Sequence, residues 1–319
     1  MRKRVLITGG TGFLGRRLGM QMKADWEVFL GARNNKQNWM AGQYTGCETI
    51  PLDITSIDSF RDAVVEIRPD VVIHAAATKF VDLSEKQPLE CVDVNVLGSQ
   101  NVARVCMDKG VETVIGISTD KAAPPVRNTY ALSKALMERM FCSLNGKSVT
   151  KFACVRFGNL AWSTGSVLPI WKKMHDETGV IGTTGPEMRR FFISVDEACS
   201  IILNAVNHID VLQGQVLTRR MKSVQIGDML ALWVTKKGGR WERIEGRPGE
   251  RDDEYLVGES ERPYASEHVF DGIMHYAIDF NRKNPNPIVE ELSSATMPRL
   301  SEAEILNIVM NPPPADELW

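Results

Sequence analysis

Short apolar runs alternate with longer amphipathic ones through the first half of the chain. Val5-Leu-Ile-Thr8, Glu27-Val-Phe-Leu30, Thr49-Ile-Pro-Leu52, Pro69-Asp-Val-Val-Ile-His74, Thr113 to Ile117 and Phe152-Ala-Cys-Val155 are short and end in glycine or polar residues. This predicts buried strands. Between them, 16–23, 56–67 and 89–107 carry apolar residues at helical spacing, and Ser56 is placed to cap the second. Such alternation predicts an α/β fold with a right-handed, doubly wound parallel sheet. After residue 158 the alternation loosens. There, 189–194 reads as a strand, 195–206 as a helix, 216–217 as a strand and 224–234 as a helix. We therefore expect a main domain over 1–158, to which some later segments return. A smaller carboxyl-terminal α/β part follows over 159–300, then a loosely held tail over 301–319 that ends in Pro312-Pro-Pro-Ala-Asp-Glu-Leu-Trp319.

The first strand runs into Gly9-Gly-Thr-Gly12-Phe-Leu-Gly15, and a helix follows. In that setting the glycines permit a tight turn, let the backbone approach a pyrophosphate and let the helix pack on the strand. The domain thus reads as a Rossmann fold, with Thr8, Gly9, Gly12, Phe13, Leu14 and Gly15 as cofactor-binding candidates. The second strand ends in Gly31-Ala-Arg33-Asn34. An NAD site usually has an acid here, whereas an Arg suits a 2′-phosphate. Arg33 without an acid favours NADP over NAD; the competing reading is a solvated loop residue. Asp53, at the tip of the third strand, and the small residues Ala75 and Ala76, after the fourth, complete the expected cofactor site. His74 reads as a packed strand-end residue and Asn95 as a structural hydrogen-bonding group. Lys79 either faces a diphosphate or is an exposed loop lysine.

The polar run Ser118-Thr119-Asp120-Lys121 follows the fifth strand, at the sheet edge where ligands bind. Pro124 and Pro125 force a loop. Tyr130 and Lys134 then stand one turn apart at the start of a helical stretch and share a face. A Tyr beside a Lys ammonium has a lowered phenol pKa, which suits proton exchange with a hydroxyl. The plainer reading is a surface Tyr and Lys on an amphipathic helix.

Composition narrows the class. Of 319 residues, 43% are hydrophobic and 24% charged, and the formal net charge is −2, so nothing points to nucleic acid. No apolar stretch is long enough for a membrane span, and the start is too soon broken by glycine for a signal peptide. The six cysteines show no Cys-x-x-Cys pairing, so reduced core thiols are expected and no metal site. A cytoplasmic enzyme is the natural class. Arginines in the carboxyl-terminal part, Arg190 and Arg247 among them, suit a diphosphate-bearing substrate.

Taken together, the chain resembles the extended short-chain dehydrogenase/reductases, and within them the inverting UDP-N-acetylglucosamine 4,6-dehydratases of surface-glycan biosynthesis. The family pattern appears in order as Thr8 to Gly12, Ser118 to Ala123, Tyr130 to Lys134, Arg156 to Asn159, Gly165 to Pro169 and Arg247 to Glu250. Ser-Thr-Asp-Lys is the most specific piece. The resemblance implies that Tyr130 takes the C4 hydroxyl proton as hydride leaves C4. Lys134 would hold the ribose and depress the Tyr130 pKa, Lys121 would abstract the C5 proton, and Asp120 would protonate the departing C6 hydroxyl. Thr119 is carried over as a catalytic residue. Asn159, Ser166, Val167, Arg190, Arg247 and Glu250 are carried over as contacts to a UDP-sugar, and Lys79, from its place on the functional edge, is expected to join them. A homo-oligomer, dimer or hexamer, is also expected. A Lys base needs a neutral amine, so Lys121 should be desolvated or near other cations. The alternative is a C2 or C4 nucleotide-sugar epimerase on the same fold.

Departures fall in two places. The Lys121–Tyr130 interval is one residue longer than the family's, with Arg127 or Asn128 as the extra residue. In the substrate part, Thr164 replaces an Arg, Arg189 replaces the Thr of Met-Thr-Arg-Phe, and Asp253 replaces a His ahead of Glu254. These last changes bear on the identity of the sugar more than on the reaction.

Overall fold

The six strands expected in the first half all form. In the computed structural model, which describes residues 2–246 and 249–314, they are β1 (Arg4–Thr8), β2 (Glu27–Ala32), β3 (Glu48–Pro51), β4 (Val71–His74), β5 (Thr113–Ile117) and β6 (Lys151–Val155). They lie side by side in the order β3-β2-β1-β4-β5-β6, and every neighbouring pair is parallel. The order reverses at β1. A crevice therefore opens beyond the carboxyl ends of β1 and β4, where ligands bind in such sheets. Val5, Leu6, Ile7, Val72, Ile73 and Val114 are completely buried, as expected of strands covered on both faces. Helices Phe13–Met22 and Val195–Asn207 pack together, as do Ile57–Ile67 and Gly98–Lys109.

The second half of the chain returns to this sheet. Strand Val216–Arg219 lies parallel to β6, and the hairpin Ala265–Phe270/Ile273–Ile278 closes that edge antiparallel. A separate apolar core built on Trp162, Trp171, Phe192, Leu230 and Trp233 supports the smaller part. Helix Glu302–Met310 belongs to that core, which corrects the expectation of a loose tail over its residues. Ile305 and Val309 are buried one turn apart, Ser301 and Glu304 form a capping box, and the Trp162 indole donates to Ile308 O at 2.6 Å. Residues 315–319 lie outside the described residues.

The run 89–107 is not one regular helix. It opens as Pro88–Val92, widens into a π-turn at Asp93–Leu97 and resumes as Gly98–Lys109. The wide turn carries Asn95, which is buried. Its amide accepts from Thr78 N (2.9 Å) and donates to Thr78 O (3.0 Å) and Ser133 Oγ (2.9 Å), tying the loop after β4 to the helix that carries Tyr130. The six cysteines are buried and unpaired. Among the described residues, no helix is long and apolar enough to cross a membrane.

Candidate active site

A single cavity of about 1080 Å³ runs along the carboxyl edge of the sheet, from the glycine loop to the smaller part. At its first end the geometry is set by missing side chains. Gly9 has φ +65°, and a Cβ there would lie 2.8 Å from the Ala76 backbone; a Cβ on Gly15 would lie 2.6 Å from Gly10. Helix Phe13–Met22 starts at Gly12 without a side-chain cap, so its first N–H groups are free for an anion. Gly9, Gly12, Phe13, Leu14, Gly15, Arg33, Asp53, Ala75 and Ala76 all line the cavity, and this cradle fits a dinucleotide pyrophosphate.

Thr8 does not line it. Its hydroxyl is completely buried, pairs with His74 Nδ1 at 2.8 Å and accepts from Ala76 N at 3.3 Å, so it shapes the turn from behind. His74 is the packed strand-end residue expected; its other ring nitrogen pairs with Ser99 Oγ at 2.9 Å. Burial, and then the charge of Lys134, push its pKa down to about 3, which keeps the ring neutral. Asp53 Oδ1 already accepts from Thr55 N (2.9 Å) and Thr55 Oγ1 (2.8 Å). Arg33 is exposed on the rim beside Asn34 and Gln37.

At mid-cavity, β5 ends and the chain makes a tight turn over Asp120–Ala122, which Thr119 caps. Asp120 is completely buried and lies behind the cavity wall. Its Oδ1 accepts from Thr119 Oγ1 (2.9 Å) and Lys121 Nζ (3.1 Å), while Oδ2 has no partner. Burial raises its pKa, Lys121 opposes and Glu254 reinforces; the net shift is upward. Lys121 does reach the cavity, and its Nζ also donates to Asn159 Oδ1 at 3.3 Å and lies 3.5 Å from Glu254 Oε1. Burial disfavours the ammonium and Arg190 opposes it, but Asp120 and Glu254 more than compensate, so its pKa rises. Lys121 is thus desolvated and has a cation, Arg190, nearby, as expected, but two carboxylates outweigh both and the amine is not held neutral.

Tyr130 and Lys134 sit in the first turns of helix Thr129–Leu144, whose N-terminus is capped by Asn128 Oδ1 accepting from Ala131 N at 2.8 Å. Asn128 is one of the two candidates for the extra residue of the loop. The interval before it is held from outside, because Arg251 donates to the carbonyls of Ala123 (3.1 Å) and Pro125 (2.8 Å). The Tyr130 phenol is pushed up, not down as expected from its neighbour. Burial dominates, Asp120 adds to it, and Thr119 opposes. Lys134 turns its Nζ to Ile117 O at 2.7 Å, and burial lowers its own pKa to about 8, so it is a weaker positive neighbour than an exposed lysine.

At the far end Lys79, Asn159, Ser166, Val167, Arg190 and Glu250 line the cavity. Arg247 lies outside the described residues. Ser166 Oγ is buried without a partner at the start of helix Val167–Thr178. Arg190 donates to Arg189 O (2.8 Å) and Asp252 O (3.1 Å), and Glu250 accepts from Thr184 Oγ1 (3.2 Å). Sequence reasoning missed Glu254 as a site residue, although it closes the motif in which Asp253 departs from the family. The departures at 189 and 253 meet in the structure: Arg189 donates twice to the Asp253 carboxylate, at 2.7 and 2.6 Å. Neither residue lines the cavity, so this pair bears on support of the site and not on contact with a sugar.

The polysaccharide biosynthesis protein family matches residues 5–276. The chain belongs to this family. It is 31% identical to the inverting UDP-N-acetylglucosamine 4,6-dehydratase of Campylobacter jejuni over 282 residues, covering 83% of this chain and 82% of that protein. Among solved structures it is similar to Pen from Bacillus thuringiensis, with a TM-score of 0.88, 27% identity and 97% of each chain covered. The UDP-glucose 4-epimerase of Thermus thermophilus, solved in complex with NAD, shares the fold. Its TM-score is 0.68 at 20% identity, covering 78% of this chain and 88% of that one.

Proposed function

We propose that this chain is a nucleotide-sugar 4,6-dehydratase of glycan biosynthesis, acting on UDP-N-acetylglucosamine or a similar UDP-hexose. The observation that carries this reading is the Asp120–Lys121 pair, 3.1 Å apart, whose lysine reaches the middle of a cavity that joins a dinucleotide cradle to an arginine-bearing end. A bound nicotinamide dinucleotide supplies a hydride acceptor for C4 and a donor for C6. Arg33 on the rim supports NADP as that dinucleotide.

In this reading Tyr130 works as the phenolate, its own proton having passed to solvent, and takes the C4 hydroxyl proton, with Thr119 beside it. Elimination across C5 and C6 then needs a base and an acid together. The pair provides both by moving one proton: transfer from Lys121 Nζ to Asp120 turns an ammonium and a carboxylate into an amine and a carboxylic acid. The buried setting favours the neutral form of Asp120. The amine takes the C5 proton, and the acid protonates the departing C6 hydroxyl. Asp120 reaches the C6 oxygen only when its side chain or Thr119 turns toward the cavity. Lys79, Arg190, Asn159, Ser166, Val167 and Glu250 bind the sugar nucleotide, with the cations on the diphosphate.

One observation favours the epimerase alternative. Lys121 rests as an ammonium between carboxylates, the form a purely substrate-binding lysine would take. Proton NMR of the protein with UDP-N-acetylglucosamine separates the two readings. A dehydratase gives a new methyl doublet that carries the substrate's own C4 hydrogen, and C5 takes deuterium from deuterated water. A product that keeps its C6 oxygen establishes the epimerase instead.

A further inference from the structure

Three charged segments meet at Lys121. Asp120 comes from its own turn, Arg190 from strand Arg189–Ile193, and Glu254 from the segment that also carries Arg251 and Asp253. The phenol of Tyr130 adjoins the same group from the helix side, through Asp120 and Thr119. Unlike Asp120, Glu254 lines the cavity, yet it is only 3% exposed. Few carboxylates are buried this deeply without a dedicated partner, and Glu254 has several. Arg251 pairs with its Oε2, Lys121 Nζ lies 3.5 Å from Oε1, and Arg190 Nε lies 3.9 Å from Oε1. Its backbone is fixed as well. Glu254 N donates to Ser294 Oγ at 3.0 Å, and Ser294 Oγ donates to Asp253 Oδ1 at 2.9 Å, next to the Arg189–Asp253 pair.

We propose that Glu254 is a positioning residue, the second counter-ion of Lys121, which sets how many protons the Asp120–Lys121 pair holds as elimination begins. The inference rests on the dehydratase reading and deepens it. With Glu254 ionised, the pair carries its working proton more firmly, whether that proton sits on nitrogen or on oxygen. Loss of the Glu254 charge has one sign at both members. It removes support for the Lys121 ammonium, and it removes the repulsion that adds to burial in raising the Asp120 pKa. Arg251 acts on the same assembly from behind, because it holds Glu254 and the carbonyls of the loop after Asp120 at once. Glu254 itself stays ionised: burial opposes the charge, but Lys121, Arg190 and Arg251 outweigh it and lower its pKa.

The test is the pH profile of kcat for 6-deoxy product in wild type, Glu254→Gln and Glu254→Asp, with C5 deuterium uptake followed in parallel. The two limbs report the pair's apparent pKa values, not those of single residues. In Glu254→Gln both limbs move to lower pH, by on the order of one unit. Glu254→Asp keeps the charge and leaves the limbs near their wild-type position, at reduced height. A Glu254→Gln profile that falls in height without moving, or a change confined to KM, overturns the proposal and makes Glu254 a packing or sugar-binding residue. Should Glu254→Gln fail to fold, Glu254→Met, of similar length and uncharged, is expected to show the same downward shift; no shift there overturns the proposal too. If wild type yields no methyl product at any pH, the dehydratase reading itself falls and takes this inference with it. If wild type yields product and the variants do not shift, only the inference falls.

Discussion

The two ends of the cavity are built by opposite means. The dinucleotide end centres on one continuous stretch, Gly9 to Gly15, packed against Ala75 and Ala76, and works through absent side chains: backbone against backbone, and a helix start left uncapped. The proposed reacting centre and the end beyond it draw on residues 119–121, 190 and 254, three stretches far apart in sequence, and work through charge. A steric cradle tolerates change except where an added side chain would meet the backbone. A charge cluster depends on every member, because each ion is stabilised by the others and not by water.

The hardest way to break the comparison is to strike the reacting centre while leaving the cradle intact. Tyr130→Phe is expected to lower kcat by about 10²–10⁴, the usual range for a lost acid–base group, with dinucleotide affinity retained in a binding titration. Parallel loss of both would show that the two ends are one unit. Next comes Arg156, completely buried between Glu138 on the Tyr130 helix and Glu261, with contacts of 2.6 and 2.8 Å. Arg156→Ala strands two buried carboxylates and should cost about 3–5 kcal/mol in urea unfolding. A loss below about 1 kcal/mol would mean that this join between the chain's two halves is dispensable.

Smaller effects sharpen the contrast. Arg33→Ala should remove a preference for NADP over NAD of roughly tenfold, the worth of one charge-assisted hydrogen bond. Equal affinities in wild type would make Arg33 a plain surface residue. The smallest effect concerns Arg189 and Asp253, whose side chains are 32% and 17% exposed. A double-mutant cycle on thermal unfolding should give a coupling of only about 0.2–1 kcal/mol, discounted for solvent screening. A substantial change in sugar selectivity from that pair would return these positions to the substrate.

Much of this was legible in the residues. Strand periodicity and the glycine spacing placed β1 to β6 and the cradle, because burial on both faces and close backbone approach leave few residue types allowed. Helix Glu302–Met310 was legible too, in Ser301, Glu304 and the spacing of Ile305 and Val309, but the prolines after it drew the reading toward a tail. Two electrostatic expectations failed for one reason. The Tyr130–Lys134 spacing says that the two share a helix face, not that Nζ turns to Ile117 O or that burial outweighs its charge. Likewise, Lys121 in the sequence stands beside one acid; Glu254 reaches it only through the fold.

The sequence by itself determined the sheet, the glycine cradle and which side chains are candidates for the chemistry, because periodicity, backbone sterics and functional-group chemistry are local properties. Only the tertiary structure decided that Thr8 and Asp120 stand behind the cavity wall, that Arg189 and Asp253 pair with each other, and that Glu254 faces Lys121. Charge interactions depend on distance through space and on the water removed around them. Both quantities come into being when segments far apart in the chain are packed together.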